Sequence, residues 1–174
     1  MKSPQATNWK SACNLEYQAL IRNTTWRLIQ SHPDMTVIKC KWVFDVKLKY
    51  STNPNETPMI DRFRARLVAR GDSKVQGINF DEVYAPVVRF TSLWIILHIA
   101  AIHDLEIDHR DFCNAFLNGT LSEVKIHMEQ PEGYISDTEK DKVYLLLGSL
   151  YGLRQSARIW YQCLHRMLNV FGMT

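Results

Sequence analysis

Apolar and polar residues alternate along two neighbouring stretches of the chain, and the alternation predicts a β-hairpin. In residues 37–50 every second side chain from Phe44 onward is apolar, and the positions between them are largely charged. This period of two is typical of a half-buried strand. The polar, proline-containing stretch 51–58 is typical of a hairpin loop. A second alternating run at residues 62–70 completes the predicted hairpin.

Three other stretches have the spacing of helices. Residues 8–21 and the stretch from Ser156 to Phe171 carry apolar side chains on one face, and Gly172 is placed to end the last helix. Residues 93–103 are apolar almost all round, which predicts a buried helix. The expected N-terminal caps are Asn8, Thr91 or Ser92, and Ser156.

The remaining segments predict short strands and loops. Residues 23–33 are interpreted as a loop, 71–77 as a turn and 78–88 as an extended segment. A short strand is expected to end on Asp111, and two more are expected near 124–128 and 142–147. Helices and strands that follow one another in this order predict an α+β fold.

Composition limits the class of protein. The 174 residues are 46% hydrophobic, enough for one domain with a core, and no run approaches the roughly 20 apolar residues of a membrane helix. The N-terminus opens no apolar signal region. Four widely spaced cysteines lack the pairing of a metal site, and we expect them to be reduced in an intracellular protein: Cys13, Cys40, Cys113 and Cys163.

Positive charge is concentrated in the predicted hairpin. Residues 39–74 contain nine Lys or Arg and four Asp or Glu, although the net charge of the chain is only +3. Alternation places Arg62, Arg64 and Arg66 on one strand face, with Arg70 near them. One interpretation is a solvated hairpin face. The other is a phosphate clamp, because guanidinium groups match phosphate oxygens, and the scarcity of acids in this strand favours it.

Residues 106–120 hold the densest mixture of charges outside the hairpin. Glu106, Asp108 and Asp111 lie close together before an Asn-Gly turn at residues 118–119. Any of the three could present a carboxylate at a sheet edge, and composition does not choose between them.

Several ordered motifs resemble the reverse transcriptase domain of copia-type LTR retrotransposon Pol polyproteins. They include Asp-Phe-Cys-Asn-Ala-Phe-Leu-Asn-Gly at 111–119 and Leu-Tyr-Gly-Leu-Arg-Gln-Ser at 150–156. Each block is weak alone, but the set follows the family's order over nearly the whole chain. The other blocks are at 23–26, 41–44, 64–71, 84–89 and 130–134.

The resemblance implies a right-hand polymerase fold of which this chain holds the fingers hairpin and the first half of the palm. Residues 1–36 would form an N-terminal helix and loop, 37–90 a fingers-like part and 91–174 a partial palm. The implied activity is RNA-directed DNA polymerisation, the transfer of dNTPs to a DNA primer on an RNA template. The rest of the Pol polyprotein is a further implied partner, and no membrane is implied. The implied location is intracellular, in a cytoplasmic virus-like particle or in the nucleus.

The resemblance also implies a metal site. Asp111 matches the family's first metal-binding, catalytic aspartate, and the backbone carbonyl of Phe112 would help to hold Mg²⁺. Phe116 matches the aromatic residue that lies under the sugar ring and excludes a 2′-hydroxyl. Simple core packing is the alternative interpretation of Phe116.

Nucleotide-binding roles follow from the same comparison. Arg64, Arg66 and Arg70 would grip the triphosphate, because cations stabilise the leaving pyrophosphate. Another set would line the nucleotide and template pocket, with a glycine that lets backbone approach the template–primer: Tyr151, Gly152, Arg154 and Gln155. An ordinary strand-to-helix turn is the alternative for residues 148–155.

One departure from the family bears on activity. The family's Tyr-x-Asp-Asp hairpin, which carries further metal-binding aspartates, has no match in the 174 residues, which contain no Asp-Asp pair. We therefore expect no polymerisation by this chain alone. The alternatives are a catalytically inactive retrotransposon remnant with at most nucleic-acid binding, and a small RNA-binding module, which would expose aromatic side chains on a sheet face.

Overall fold

A computed structural model describes residues 4–53, 55–70, 85–112, 114–121 and 124–173. The predicted turn at 71–77 and most of the extended segment at 78–88 lie outside these residues. Helices and strands are mixed, so the α+β class is confirmed. The elements are α1 (Ala6–Arg22), β1 (Trp26–Gln30), β2 (Val37–Ile38), β3 (Cys40–Lys49), β4 (Met59–Ala69), α2 (Phe90–Ile102), β5 (Ile126–Met128), β6 (Lys142–Leu146) and α3 (Ser156–Val170), with short 3-10 helices at Ala115–Asn118 and Asp137–Glu139.

The predicted hairpin is present as the antiparallel pair β3–β4. Its register sets Asp45 opposite Arg64, with an irregularity between Lys47 and Leu48. Every second residue near the end of β4 is buried, including Ala65 and Leu67, and α1 packs against this strand. The alternating pattern therefore predicted the correct buried face of β4. For the predicted strand at residues 37–50 it was largely wrong, because Phe44, Leu48 and Tyr50 are exposed.

A second sheet has four strands in the order β1-β6-β5-β2. The predicted strands near 124–128 and 142–147 form its antiparallel β5–β6 pair. The loop predicted at 23–33 is wrong, because β1 lies there and pairs with β6 along five residues. Trp26 stacks on Tyr144 with ring centres 4.4 Å apart, which stabilises a strand too short to show its own period.

The main core joins the base of the hairpin to the four-stranded sheet. Leu20 of α1 and Leu67 of β4 are fully buried against it, as is Leu150 just before α3. The remaining buried members are Ile38, Ala69, Leu117, Ile126, Met128, Tyr144, Leu146 and Leu153. One core thus fixes the hairpin relative to the sheet and to the loop that precedes α3.

The helix boundaries differ slightly from the predicted caps. Helix α1 begins before Asn8, and Arg89 precedes the first residue of α2. Gln155 is the N-cap residue of α3; Ser156 is helical and donates its hydroxyl to Leu150 O at 2.6 Å instead. The predicted end of α3 is confirmed. Gly172 has φ +73°, and the N–H groups of residues 172 and 173 bond to carbonyls of the last turn, as in a Schellman motif.

Helix α2 is exposed, so its predicted burial is wrong. Trp94 and Ile102 are 66% and 65% exposed, and Ala100 is the buried residue of the helix. All-round apolarity indicates that a helix has partners on several sides. Among the described residues, no helix or strand packs broadly against α2.

The strand expected to end on Asp111 is also absent from the described structure. Residues 105–112 form no regular element and pair with no described strand, and Asp111 is exposed. Without a pairing partner, this acidic segment has no ladder to hold it as a strand. No described helix is both long and apolar enough to cross a membrane.

Candidate functional site

A cavity of about 560 Å³ lies between α1, the edge of β4, residues 111–116 and Tyr151. Five of the predicted site residues line it: Arg64, Asp111, Phe112, Phe116 and Tyr151. They come from three separate stretches of the chain, and the fold brings them together. Phe112 lines the same cavity beside Asp111, and its ring meets Trp160 edge-on with centres 5.1 Å apart.

Strand β4 supplies the arginines of the cavity. Arg62 is exposed and Arg64 is half-buried, and both line the cavity. Among the described strands β4 pairs only with β3, so its other edge has no neighbouring strand. Asp45 lies across the hairpin from Arg64 and pairs with Lys47 at 3.4 Å. The hairpin as a whole therefore has more acidic side chains near its arginines than the sequence of β4 alone indicates.

The turn after Asp111 places Phe116. Asn114 has φ +52°, a left-handed conformation that asparagine tolerates, and the 3-10 helix begins at the next residue. Leu117 is buried in the core, and the hydroxyl of Ser149 donates to the carbonyl of Phe116. Phe116 itself is half-buried and meets Tyr151 edge-on, with ring centres 5.2 Å apart. Its ring is thus both packed and part of the cavity wall.

Tyr151 links the loop before α3 to the hairpin. Its ring centre lies 5.6 Å from the guanidinium carbon of Arg66, within the range of a cation–π contact. Gly152 follows with φ +86°, and a Cβ there would collide with the backbone of Ala69 and lie 2.7 Å from a methyl of Val68. The backbone at Gly152 therefore lies too close to β4 for a larger residue to fit without a shift.

The other predicted binding residues do not line this cavity: Arg66, Arg70, Gly152, Arg154 and Gln155. The Arg66 Nε and both polar atoms of the Gln155 amide are buried without a hydrogen-bond partner. Such groups lose the solvation that water gives them, at a cost of about 1–3 kcal/mol each.

Glu16 is a cavity residue that sequence reasoning did not select. It lies on α1, and its Oε1 accepts a 3.4 Å hydrogen bond from the N–H of Leu67. Burial raises the pKa of Glu16 above its ordinary value, while the Leu67 N–H and the charges of Arg64 and Arg66 act in the opposite direction. The sequence feature that could have identified Glu16 is that it is an acidic residue on the apolar face of the first helix.

Asp111 fits a magnesium ion only in part. Mg²⁺ prefers oxygen ligands, and an exposed carboxylate on a cavity wall is one such ligand. The described residues contain no group of three or more His, Cys, Asp or Glu side chains that could hold a metal ion. The described part of the chain alone therefore does not form a full magnesium site.

A larger cavity of about 780 Å³ lies between α1, β3 and the turn at 131–134. Trp42 and Tyr134 form part of its wall, with ring centres 5.6 Å apart, and Lys10 and Lys41 also line it. It contains none of the predicted site residues, so volume alone does not mark the candidate site.

Two arginines, two carboxylates and aromatic rings line this one cavity, and the guanidinium groups are able to bind phosphate oxygens. Residues 23–174 match the family model described as "Reverse transcriptase (RNA-dependent DNA polymerase)". The chain belongs to the reverse transcriptase family, and the resemblance predicted from its motifs is confirmed.

The chain is similar to Pol polyproteins of plant transposons. It is 39% identical to the retrovirus-related Pol polyprotein from transposon TNT 1-94 of Nicotiana tabacum, over 92% of this chain and 12% of that protein. It is 35% and 36% identical to those from transposons RE2 and RE1 of Arabidopsis thaliana, over 94% of this chain and 11% of each. The chain therefore spans about a ninth to an eighth of these relatives. No solved structure matches it.

Proposed function

We propose that the chain forms part of an RNA-directed DNA polymerase and that the 560 Å³ cavity receives the incoming deoxynucleoside triphosphate. In this proposal residues 37–90 are fingers-like, residues 91–174 form part of the palm, and residues 1–36 support both. The observation that carries the proposal is the convergence of Arg64, Asp111, Phe116 and Tyr151 on one cavity.

Each cavity residue has a role that suits its chemistry. Arg64, with Arg62 beside it, binds the phosphates through its guanidinium group. Asp111 and the Phe112 carbonyl offer oxygen ligands to Mg²⁺, which would neutralise charge on the triphosphate when bound. Phe116 supports the sugar and disfavours a 2′-hydroxyl, because its ring forms part of the wall.

The remaining predicted residues act around this cavity. Arg66 fixes Tyr151 by its contact with the ring, and Gly152 sets the distance between that loop and β4. Arg70, Arg154 and Gln155 are proposed to contact the nucleotide or template from outside the cavity. The RNA template, the DNA primer and the rest of the Pol polyprotein are the proposed partners.

Nucleotide binding by the 174-residue chain tests the proposal. In calorimetric titrations with dTTP and Mg²⁺, Arg64→Ala should weaken binding about tenfold or more, because it removes a charged phosphate contact. Arg27→Ala is the matched control, since Arg27 is an exposed strand arginine outside the cavity. Equal affinities of the Arg64→Ala and unsubstituted chains would show that the cavity is not the nucleotide site.

A second candidate function is nucleic-acid binding without catalysis. The exposed cations of the hairpin, among them Lys47, Lys49 and Arg62, favour it, because phosphate backbones bind such surfaces in a salt-dependent way. The dTTP titration and primer extension on poly(rA) with Mg²⁺ together separate the two functions. Extension that Asp111→Asn abolishes supports polymerisation by this chain. Salt-dependent binding of single-stranded RNA, with neither dTTP binding nor extension, supports the second function.

A further inference from the structure

The charged side chains around the 560 Å³ cavity balance one another. Arg62 and Arg64 contribute two positive charges, and Glu16 and Asp111 contribute two negative ones. A triphosphate is strongly anionic, so a neutral lining attracts it less than the arginines alone would. Each of the two carboxylates therefore opposes the binding of an anion unless a cation neutralises its charge.

Of the two carboxylates, that of Glu16 is the one placed to oppose anion binding more strongly. It projects from α1 into the same cavity as Arg64, and it is half-buried, whereas Asp111 is exposed. Charges at partly buried positions are screened less by water and salt than exposed charges. Its Oε1 also accepts the N–H of Leu67 on β4, which holds the carboxylate beside the arginine strand.

We infer that the Glu16 carboxylate competes electrostatically with phosphate for Arg64 and so sets the anion affinity of the cavity. The inference rests on the proposed function, since it assigns Glu16 a role at the proposed triphosphate site. Glu16 precedes residues 23–174, the part that the family model matches.

Two observations support this role. Glu16 and Arg64 line the same cavity, and the charges of Arg64 and Arg66 act to lower the pKa of Glu16 against the larger raising effect of burial. Arg66 in turn is held against Tyr151, so Arg64 is the partner that faces the cavity. An anion that binds Arg64 must do so in the field of the Glu16 carboxylate.

The test measures inorganic pyrophosphate binding by calorimetry at low salt. Glu16→Gln keeps the shape of the side chain and removes its charge, so affinity should rise about three- to tenfold. The gain should shrink as salt is added. Glu106→Gln is the matched control, because Glu106 is an exposed acid that does not line the cavity. Local damage to the fold would weaken binding, so a gain separates competition from a merely structural role.

A double substitution tests whether the effect of Glu16 on anion affinity acts through Arg64. Glu16→Gln should give little or no gain in an Arg64→Ala background, because the competition acts through Arg64. A gain of the same size in that background, or no gain in the unsubstituted background, would overturn the inference. Failure of the proposed function gives a different result, namely pyrophosphate binding that Arg64→Ala does not weaken.

Discussion

The backbone N–H of Ala69 donates a 2.8 Å hydrogen bond to the carbonyl oxygen of Tyr151. This bond ties the end of β4 to the loop before α3, two stretches that carry separate sequence motifs. It holds Tyr151 against Phe116 on one side and Arg66 on the other. The cavity wall therefore depends on a backbone contact that leaves no signature in side-chain type.

Gly152→Ala should destabilise the chain by about 2 kcal/mol or more, because the new methyl group would meet the Ala69 backbone at a φ of +86°. Urea unfolding followed by circular dichroism measures the loss. Gly133→Ala is a matched control, since Gly133 has the same φ of +86° but no atom within 4 Å of the place that an alanine methyl group would occupy. Equal losses at both positions would show that backbone strain, not the contact with Ala69, accounts for the cost.

Phe116→Ala should narrow the preference for dTTP over UTP, because the ring that would meet the 2′-hydroxyl is removed. Comparative titrations with the two nucleotides measure this ratio. The packing against Tyr151 would also be lost, so stability should fall by about 1–3 kcal/mol. A loss of stability with an unchanged nucleotide ratio would favour the simple core-packing interpretation.

The pKa of Glu16 predicts a pH dependence of stability. Burial raises this pKa above its ordinary value of 4.5, so the folded chain binds the proton more tightly than the unfolded chain. The stabilisation is fully present below the ordinary value and is lost as pH rises through the folded pKa. Glu16→Gln should remove this part of the pH profile in urea unfolding between about pH 4 and 7. An unchanged profile in that variant would contradict the assignment.

The thiol of Cys40 should react slowly with iodoacetamide at pH 8. Burial, with a smaller contribution from Glu129, raises its pKa to about 12, so little thiolate is present. Its Sγ also lies 3.5 Å from the Glu129 carbonyl oxygen. Site-resolved mass spectrometry should find Cys163 alkylated well before Cys40. Labelling of Cys40 at the same rate would show that the thiol is accessible and ionised.

Local pattern predicted the parts of the fold that neighbouring residues determine. The β3–β4 hairpin follows from alternation and a short loop, and the end of α3 follows from Gly172. Strand β1 could not be predicted in the same way, because its five residues are stabilised by pairing with β6 far along the chain. The exposure of α2 depends on what packs against it, which its own composition does not specify.

The candidate site shows the same division. Motif resemblance brought Asp111, Phe116 and Tyr151 to attention, and the fold places them around one cavity. Glu16 was visible as an acid on an apolar helix face, but its arginine neighbours lie on a strand. The conformation of residues 105–112 could not be derived, because a strand requires a partner that the segment itself does not encode.

The pairing of β1 with β6 has a consequence for synthesis on the ribosome. The two strands are separated by about 120 residues, so closing them carries a large loop entropy. At roughly 5–20 residues per second, β1 waits on the order of 6–24 s before β6 has been made. The hairpin β3–β4 can form during that interval, while Trp26 lacks its ring partner Tyr144. The nascent chain therefore leaves β1 without its pairing partner until β6 has been made, and binding by a chaperone would matter most during that interval.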